Sequence, residues 1–320
     1  MKFPIFYSTK ISFKSTCTAI LSAVLLISLL TASSLWAGNN DNKSAIRIIS
    51  TSPSITETLF ALGLKDRVIA VTDFCKFPKV ACQLPSIGGM LNPSIETVVS
   101  LTPDLIIHQS SNQRLKNNAK RVGIKTLAVD MGNLREIFTT IKKLGTTLDC
   151  RKQADKLTLQ LNEGIAFYQE RLKGLPKKEV LLLLGDSNNP ARDLYAAGAG
   201  TFLSELLNLS GGNNIIRNSP AKYPKLSKEY IIEKSPEIII EAGPKSNLSQ
   251  NEIDFRIQEW KRFPTIKAVQ NEQIHFISAD YILIPGPRLL KIIDRFSKAI
   301  YPELFGSPSK KTNFQGTYSP

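Results

Sequence analysis

The chain has 320 residues, 42 % hydrophobic and 21 % charged, with a formal net charge of +14. That composition excludes a disordered chain, a collagen-like fibre and a protein embedded in a membrane throughout, and the length allows about two domains. The basic residues are scattered rather than massed, which argues against nucleic acid and leaves a mild preference for an anionic partner.

Residues 1–37 read as an export signal. Lys2, Lys10 and Lys14 are the only charges before Asp41, and a nearly unbroken apolar run covers 19–30. That run is shorter than the roughly 20 residues a bilayer span requires. Small residues then lead to a cleavage position near Ala37. Cys17 precedes the apolar run, so no lipid anchor on a cysteine at the cut is expected. Cleavage removes three lysines and no acid, which lowers the charge to +11 and leaves Cys75, Cys82 and Cys150. The expected location is the periplasm, where a disulfide is permitted. Cys75 and Cys82 are the nearest pair, with a free thiol at Cys75 as the open alternative. No C-x-x-C spacing is present, so no zinc site is read.

Residues 38–44 are polar and form a flexible lead-in. A β-run follows at 45–50. Ser54-Ile55-Thr56-Glu57 has the form of a capping box, opening a helix that stops at Gly63. Further β-runs lie at 67–72, 105–107 and 126–129, separated by helical patterns at 95–100, 115–122 and 134–144. Ala154, Leu157, Leu161, Ile165, Tyr168 and Leu172 then repeat at intervals of three and four, one apolar stripe on a helix of about six turns. Gly164 weakens that helix by about 1 kcal/mol relative to alanine. Strand–helix alternation restarts with apolar runs at 180–184, 238–240 and 274–277 and helices near 201–209 and 289–300. Alternation of this kind predicts parallel sheets covered by helices. The divisions expected are a first α/β lobe over 45–148, a joining helix over 149–176, a second α/β lobe over 177–303 and a disordered tail over 304–320.

The most informative feature is a self-match. Residues 94–107 and 227–240 align without a gap at a separation of 133 residues. Each copy reads as a serine-capped short helix, a proline–acid turn (Pro103-Asp104, Pro236-Glu237) and a buried strand. One copy on either side of one long helix predicts two Rossmann-like lobes joined by that helix, with a ligand cleft between them.

Several short pieces carry a resemblance to a known family. They are Ser52-Pro53-Ser54-Ile55-Thr56-Glu57, Phe77-Pro78, Gly88-Gly89, Asn92-Pro93-Ser94-Ile95-Glu96, Thr102-Pro103-Asp104-Leu105, Ser227-Lys228-Glu229, Ser235-Pro236-Glu237 and Pro285-Gly286-Pro287-Arg288. In this order and spacing, over roughly 45–303, the chain resembles the periplasmic substrate-binding proteins for cobalamin, ferric siderophores and haem, the helical-backbone metal receptors. The resemblance implies a monomeric, non-enzymatic component of an ABC importer. It would hold a metal chelate as cargo rather than as a prosthetic group, with a corrinoid such as cobalamin preferred over ferric siderophore or haem. It also implies that Glu96 and Glu229, one on each lobe, dock onto arginines of a dimeric transmembrane permease. A carboxylate in the first turn of a helix is favoured by the macrodipole as well, so each glutamate has a structural role in either case.

Ligands of parallel α/β sheets gather beyond the carboxyl ends of the strands. That rule and the resemblance together select Ser52, Pro53, Phe74, His108, Gln109, Tyr195, Tyr223, Asp280, Tyr281 and Arg288. Aromatic faces and scattered hydrogen-bonding groups suit a corrin ring. His108 is read as an exposed strand-end residue able to ligate cobalt or iron. Arg288 would either meet an anionic group of the ligand or cap the last helix. The corrinoid binders of the family tend to carry tryptophans in the cleft, whereas the mature chain has only Trp260. A competing enzymatic reading takes Gly185-Asp186-Ser187 after the strand 180–184 as the block of a GDS-type esterase with Ser187 as nucleophile. Such a serine requires a histidine base oriented by an acid, and the chain contains no Asp-x-x-His.

Overall fold

The computed structural model describes residues 46–185, 194–245 and 248–306. The export signal, the lead-in, Asp186 and Ser187 lie outside them. Two four-stranded, wholly parallel sheets are present. The first contains β1 (Ile48–Ser50), β2 (Val68–Ala70), β3 (Leu105–Gln109) and β4 (Lys125–Val129) in the order β2-β1-β3-β4. The second contains β5 (Lys178–Leu184), β6 (Gly212–Asn214), β7 (Ile238–Gly243) and β8 (Ile274–Ser278) in the order β6-β5-β7-β8. The two orders are the same: second, first, third, fourth.

The helices of the first half are α1 (Pro53–Ala61), α2 (Ile95–Ser100), α3 (Gln113–Arg121) and α4 (Leu134–Thr147). α5 (Arg151–Arg171) stands between the two sheets in the chain. Its 21 residues make a rod of about 30 Å. The second half adds α6 (Phe202–Leu209), α7 (Lys228–Lys234), α8 (Gln250–Lys261), α9 (Lys267–Gln270), α10 (Leu289–Ile300) and α11 (Pro302–Phe305).

The self-match is a structural repeat. In each copy a serine (Ser94, Ser227) caps a short helix by accepting a backbone N–H. The residue before the proline (Thr102, Ser235) takes a left-handed backbone, with φ of 45° and 41°. The following acid then clips the strand. Asp104 accepts from the Arg47 N–H at 2.7 Å and donates its own N–H to the Arg47 carbonyl at 2.9 Å. Glu237 does the same with Glu179, at 2.7 and 2.9 Å. The proline–acid pair therefore sets the register of the third strand against the first in both sheets.

Side chains alternate across a strand, so each buried sheet feeds two layers. One apolar core runs through both halves. It takes Ile48, Ile107 and Val129 from the first sheet, Val180, Leu182 and Ile240 from the second, Leu157 and Leu161 from α5 and Phe296 from α10. Two separate outer cores lie on the opposite faces. One joins Ile49 and Ile106 to Val98 of α2 and Leu115 of α3, and the other joins Leu181 and Ile239 to Ile231 of α7 and Trp260 of α8.

Several expectations are corrected. A Cβ on Gly164 would lie 2.4 Å from Leu290 Cδ1, so this glycine lets α10 pack against α5 rather than merely weakening the helix. The strand Gly212–Asn214 and the helix Gln250–Lys261 are not predicted. The first has no apolar run to announce it, and the second buries only Trp260. Residues 304 and 305, expected in the tail, belong instead to α11, and Phe305 packs against Tyr168 with ring centroids 5.5 Å apart; residues 307–320 lie outside the described residues. Cys75 and Cys82 are free thiols. Cys75 is buried and its sulfur accepts from Thr56 Oγ1 at 3.1 Å, whereas Cys82 is exposed and donates to the Lys76 carbonyl. Among the described residues no helix is long and apolar enough to cross a membrane.

Candidate functional site

Besides the shared core, polar contacts between the two halves cluster at two places among the described residues, both beyond the carboxyl ends of strands. At the first, Gly132, three residues past β4, accepts from the Phe202 N–H at 2.8 Å, and Glu205 of α6 accepts from the Leu134 N–H at 2.6 Å. A carboxylate of one half thus sits at the positive end of α4 in the other. The second meeting place is ionic and buried. Arg288 donates through Nε and Nη2 to both oxygens of Glu57, at 2.8 and 2.5 Å, and through Nη1 to Asp280 at 2.7 Å. Its guanidinium also stacks over Phe77 at 4.1 Å and Tyr281 at 5.2 Å, a geometry that favours the cation.

Glu57 and Arg288 are 3 % and 8 % exposed. Desolvation raises the Glu57 carboxyl above its usual range, while the Arg288 hydrogen bond and charge pull the other way. Burial of a lone carboxylate is costly, so Glu57 is tolerated on the inner face of α1 because Arg288 reaches it from 231 residues away. Local reading missed this pair. The sequence places Glu57 in a capping box, but Ser52 is the residue that caps α1, accepting the Ile55 N–H, with Pro53 in the first turn.

The aromatic candidates are accessible. Phe74 is 60 % exposed. Tyr195 and Tyr223, at 43 % and 41 %, lie on a short ribbon beside β5. That ribbon is held by the antiparallel bridge Tyr195↔Lys225, by the Leu184 N–H donating to the Tyr195 carbonyl and by the Gly198 N–H donating to the Lys222 carbonyl. A Cβ on Gly132 would lie 3.3 Å from Lys222 Nζ, so the ribbon stands at the first meeting place. Asp280 and Tyr281 follow β8 and stand at the second, where the Asp280 carboxylate is half exposed. Gln109 ends β3, partly buried.

Three candidates are corrected. The Ser52 hydroxyl is buried and committed to the helix cap. All three guanidinium nitrogens of Arg288 are committed to carboxylates of the protein. The alternative role as a helix cap fails too, because Arg288 precedes α10 without a side-chain cap bond. His108 is fully buried. It shares the strand face of Ile106, two residues before it, so the pleat turns it into the outer core rather than toward the other half. Its Nδ1 lies 2.8 Å from the Gln109 carbonyl. His275, on β8, has its pKa lowered first by burial and then by Lys178, so neither histidine stands as an exposed base. Among the described residues no group of His, Cys, Asp and Glu could hold a metal ion.

Glu96 and Glu229 occupy the second position of α2 and α7, and both are exposed. Ser94 donates to the Glu96 carboxylate at 3.1 Å. The Glu229 carboxyl is held below its usual range by its own N–H and by the Ser227 hydroxyl.

Comparison with known proteins agrees with this geometry. The family model described as periplasmic binding protein matches residues 48–281. An uncharacterized ABC transporter substrate-binding lipoprotein of Bacillus subtilis is 28 % identical over 84 % of this chain and 85 % of its own length. The vitamin B12-binding protein of Photorhabdus laumondii is 28 % identical over 87 % and 93 %. Among solved structures, the periplasmic vitamin B12 binding protein of Vibrio cholerae superposes with a TM-score of 0.67 at 25 % identity, covering 79 % of this chain and 96 % of that one. A periplasmic haem binding protein of the same organism gives 0.69 at 22 % identity, covering 81 % and 100 %, a likeness of fold alone.

Proposed function

The chain belongs to the periplasmic binding protein family, and on that footing we propose that it is the substrate-binding component of an ABC importer, carrying a corrinoid such as cobalamin. The observation that carries this reading is similarity to vitamin B12-binding proteins along most of both chains. Supporting it are the accessible aromatic faces of Phe74, Tyr195 and Tyr223, with Gln109, Asp280 and Tyr281 available as polar or edge contacts. A wide apolar ring with amide edges matches such a lining. Ferric siderophore and haem rank behind it as cargo. The cargo is transported and the protein contributes no covalent step. The esterase reading gains nothing from either histidine.

The test is to purify the mature chain, record its visible spectrum and titrate cobalamin, a ferric siderophore and haem by calorimetry. Saturable binding of cobalamin alone is expected, and tighter binding of haem would overturn the corrinoid assignment. In the same reading Glu96 and Glu229 engage basic residues of a two-subunit permease. Exposed ion pairs add little affinity but orient an encounter. Glu96→Arg with Glu229→Arg is expected to abolish uptake and leave cargo affinity unchanged; uptake at the wild-type rate would refute the docking role.

A further inference from the structure

The outer helices of the two halves correspond in position but differ in charge. α3 joins the third and fourth strands of the first sheet, and α8 does so in the second. The segment 249–262 around α8 mixes Glu252, Asp254 and Glu259 with Arg256, Lys261 and Arg262. The segment around α3 contains Arg114, Lys116, Lys120, Arg121 and Lys125, and no acid occurs between Asp104 and Asp130. All five cations are exposed. Among the described residues none of them pairs with a carboxylate. Arg114 donates to the Asn92 side chain and Arg121 to that of Asn118.

The helical period explains how they are displayed. Leu115 and Ala119 are the buried residues of α3, and both belong to the outer core. At 3.6 residues per turn Lys116 and Lys120 lie on one row, with Arg114 and Arg121 beyond them, so four cations share the outward side. Val122, which ends the helix, is exposed beside them. Arg114 and Leu115 also line a groove with Ile95 and Glu96 of α2, so the basic side adjoins the proposed docking glutamate.

We propose that the outward side of α3 is a contact site for anionic phospholipid headgroups, resting the first half of the protein on the membrane surface beside Glu96. Like charges at i and i+4 destabilise an isolated helix. A patch of them without acidic partners favours a surface of opposite sign. The partner is a lipid surface rather than a single anion, because the cations are spread along a convex helix instead of converging on one point. The link to Glu96 rests on the docking reading, whereas the lipid contact does not. A vesicle assay without permease therefore separates failure of one from failure of the other.

The test is flotation of the purified mature chain with vesicles of phosphatidylcholine alone or with phosphatidylglycerol added. Wild type is expected to float only with the anionic vesicles, and less as salt rises. The triple variant Lys116→Glu, Lys120→Glu, Arg121→Glu is expected to lose binding about tenfold or more. Lys116→Gln with Lys120→Gln should fall between and guards against a folding defect in the reversal. A reversal of equal size elsewhere, Lys142→Glu, Lys152→Glu, Lys156→Glu, should retain most binding. Equal loss in the two reversal variants would reduce the effect to net charge and overturn the proposal, as would absence of binding to anionic vesicles. Full competition by soluble glycerophosphate would also overturn it, in favour of a discrete phosphate site.

Discussion

Two helices of this protein begin near the same pattern, Ser54-Ile55-Thr56-Glu57 at α1 and Ser249-Gln250-Asn251-Glu252 at α8. At α8 the pattern is a complete capping box: the Ser249 hydroxyl accepts the Glu252 N–H, and the Glu252 carboxylate accepts the Ser249 N–H. At α1 the cap falls two residues earlier, on Ser52, and Glu57 turns inward to Arg288 on the other half of the molecule. The difference is solvent. The start of α8 is exposed, so the nearest donor is its own backbone. The start of α1 is covered by the other half, whose guanidinium is a stronger donor than an amide. A local motif decides its own use only where nothing larger reaches it.

The largest effect that could break this comparison is expected at the buried pair. Glu57→Ala should destabilise the fold by about 3–5 kcal/mol, because it leaves Arg288 charged and under-paired in the interior, as read by denaturant unfolding. Glu57 acting as an ordinary helix-start residue would lose about 1 kcal/mol or less, and a loss of that size would remove the contrast. The caps come next. Ser52→Ala should cost about 1 kcal/mol and Ser54→Ala distinctly less, since the Ser52 hydroxyl holds the Ile55 N–H; the reverse ranking would restore the sequence-derived cap.

The smallest effect is at Glu252. Lys245 and the Ser249 groups hold its carboxyl down at about 2, from a usual 4.5. A depressed folded-state pKa contributes stability that is present above the unfolded value and fades as pH falls through the folded one. The stability difference between wild type and Glu252→Gln should therefore be small near neutral pH and vanish between about 4.5 and about 2. A carboxyl resonance titrating near its ordinary value would show that the box is not formed.

Much of the architecture was legible because it is written in short-range pattern. Residues 180–183 of the apolar run are buried on both faces, and the three-and-four spacing from Ala154 to Tyr168 marks the buried side of α5. The repeat placed Glu96 and Glu229 on equivalent helices. The candidate site was legible only in part. Phe74, Tyr195 and Tyr223 are exposed, but strand-end position alone does not say which way a side chain faces. His108 was misjudged by one step of the pleat. Gly164 looked like a flaw until Leu290 came to lie against it.

From its sequence alone the chain determined two matching α/β halves, a long amphipathic rod between them and a clipped proline–acid turn in each, because periodicity, caps and turns act within a few residues. Only the tertiary structure decided that Arg288 is locked to Glu57 and Asp280, that His108 is enclosed and that Cys75 bonds to hydroxyls. Each of those outcomes depends on which distant group removes water from a side chain, and that is set by how the two halves meet.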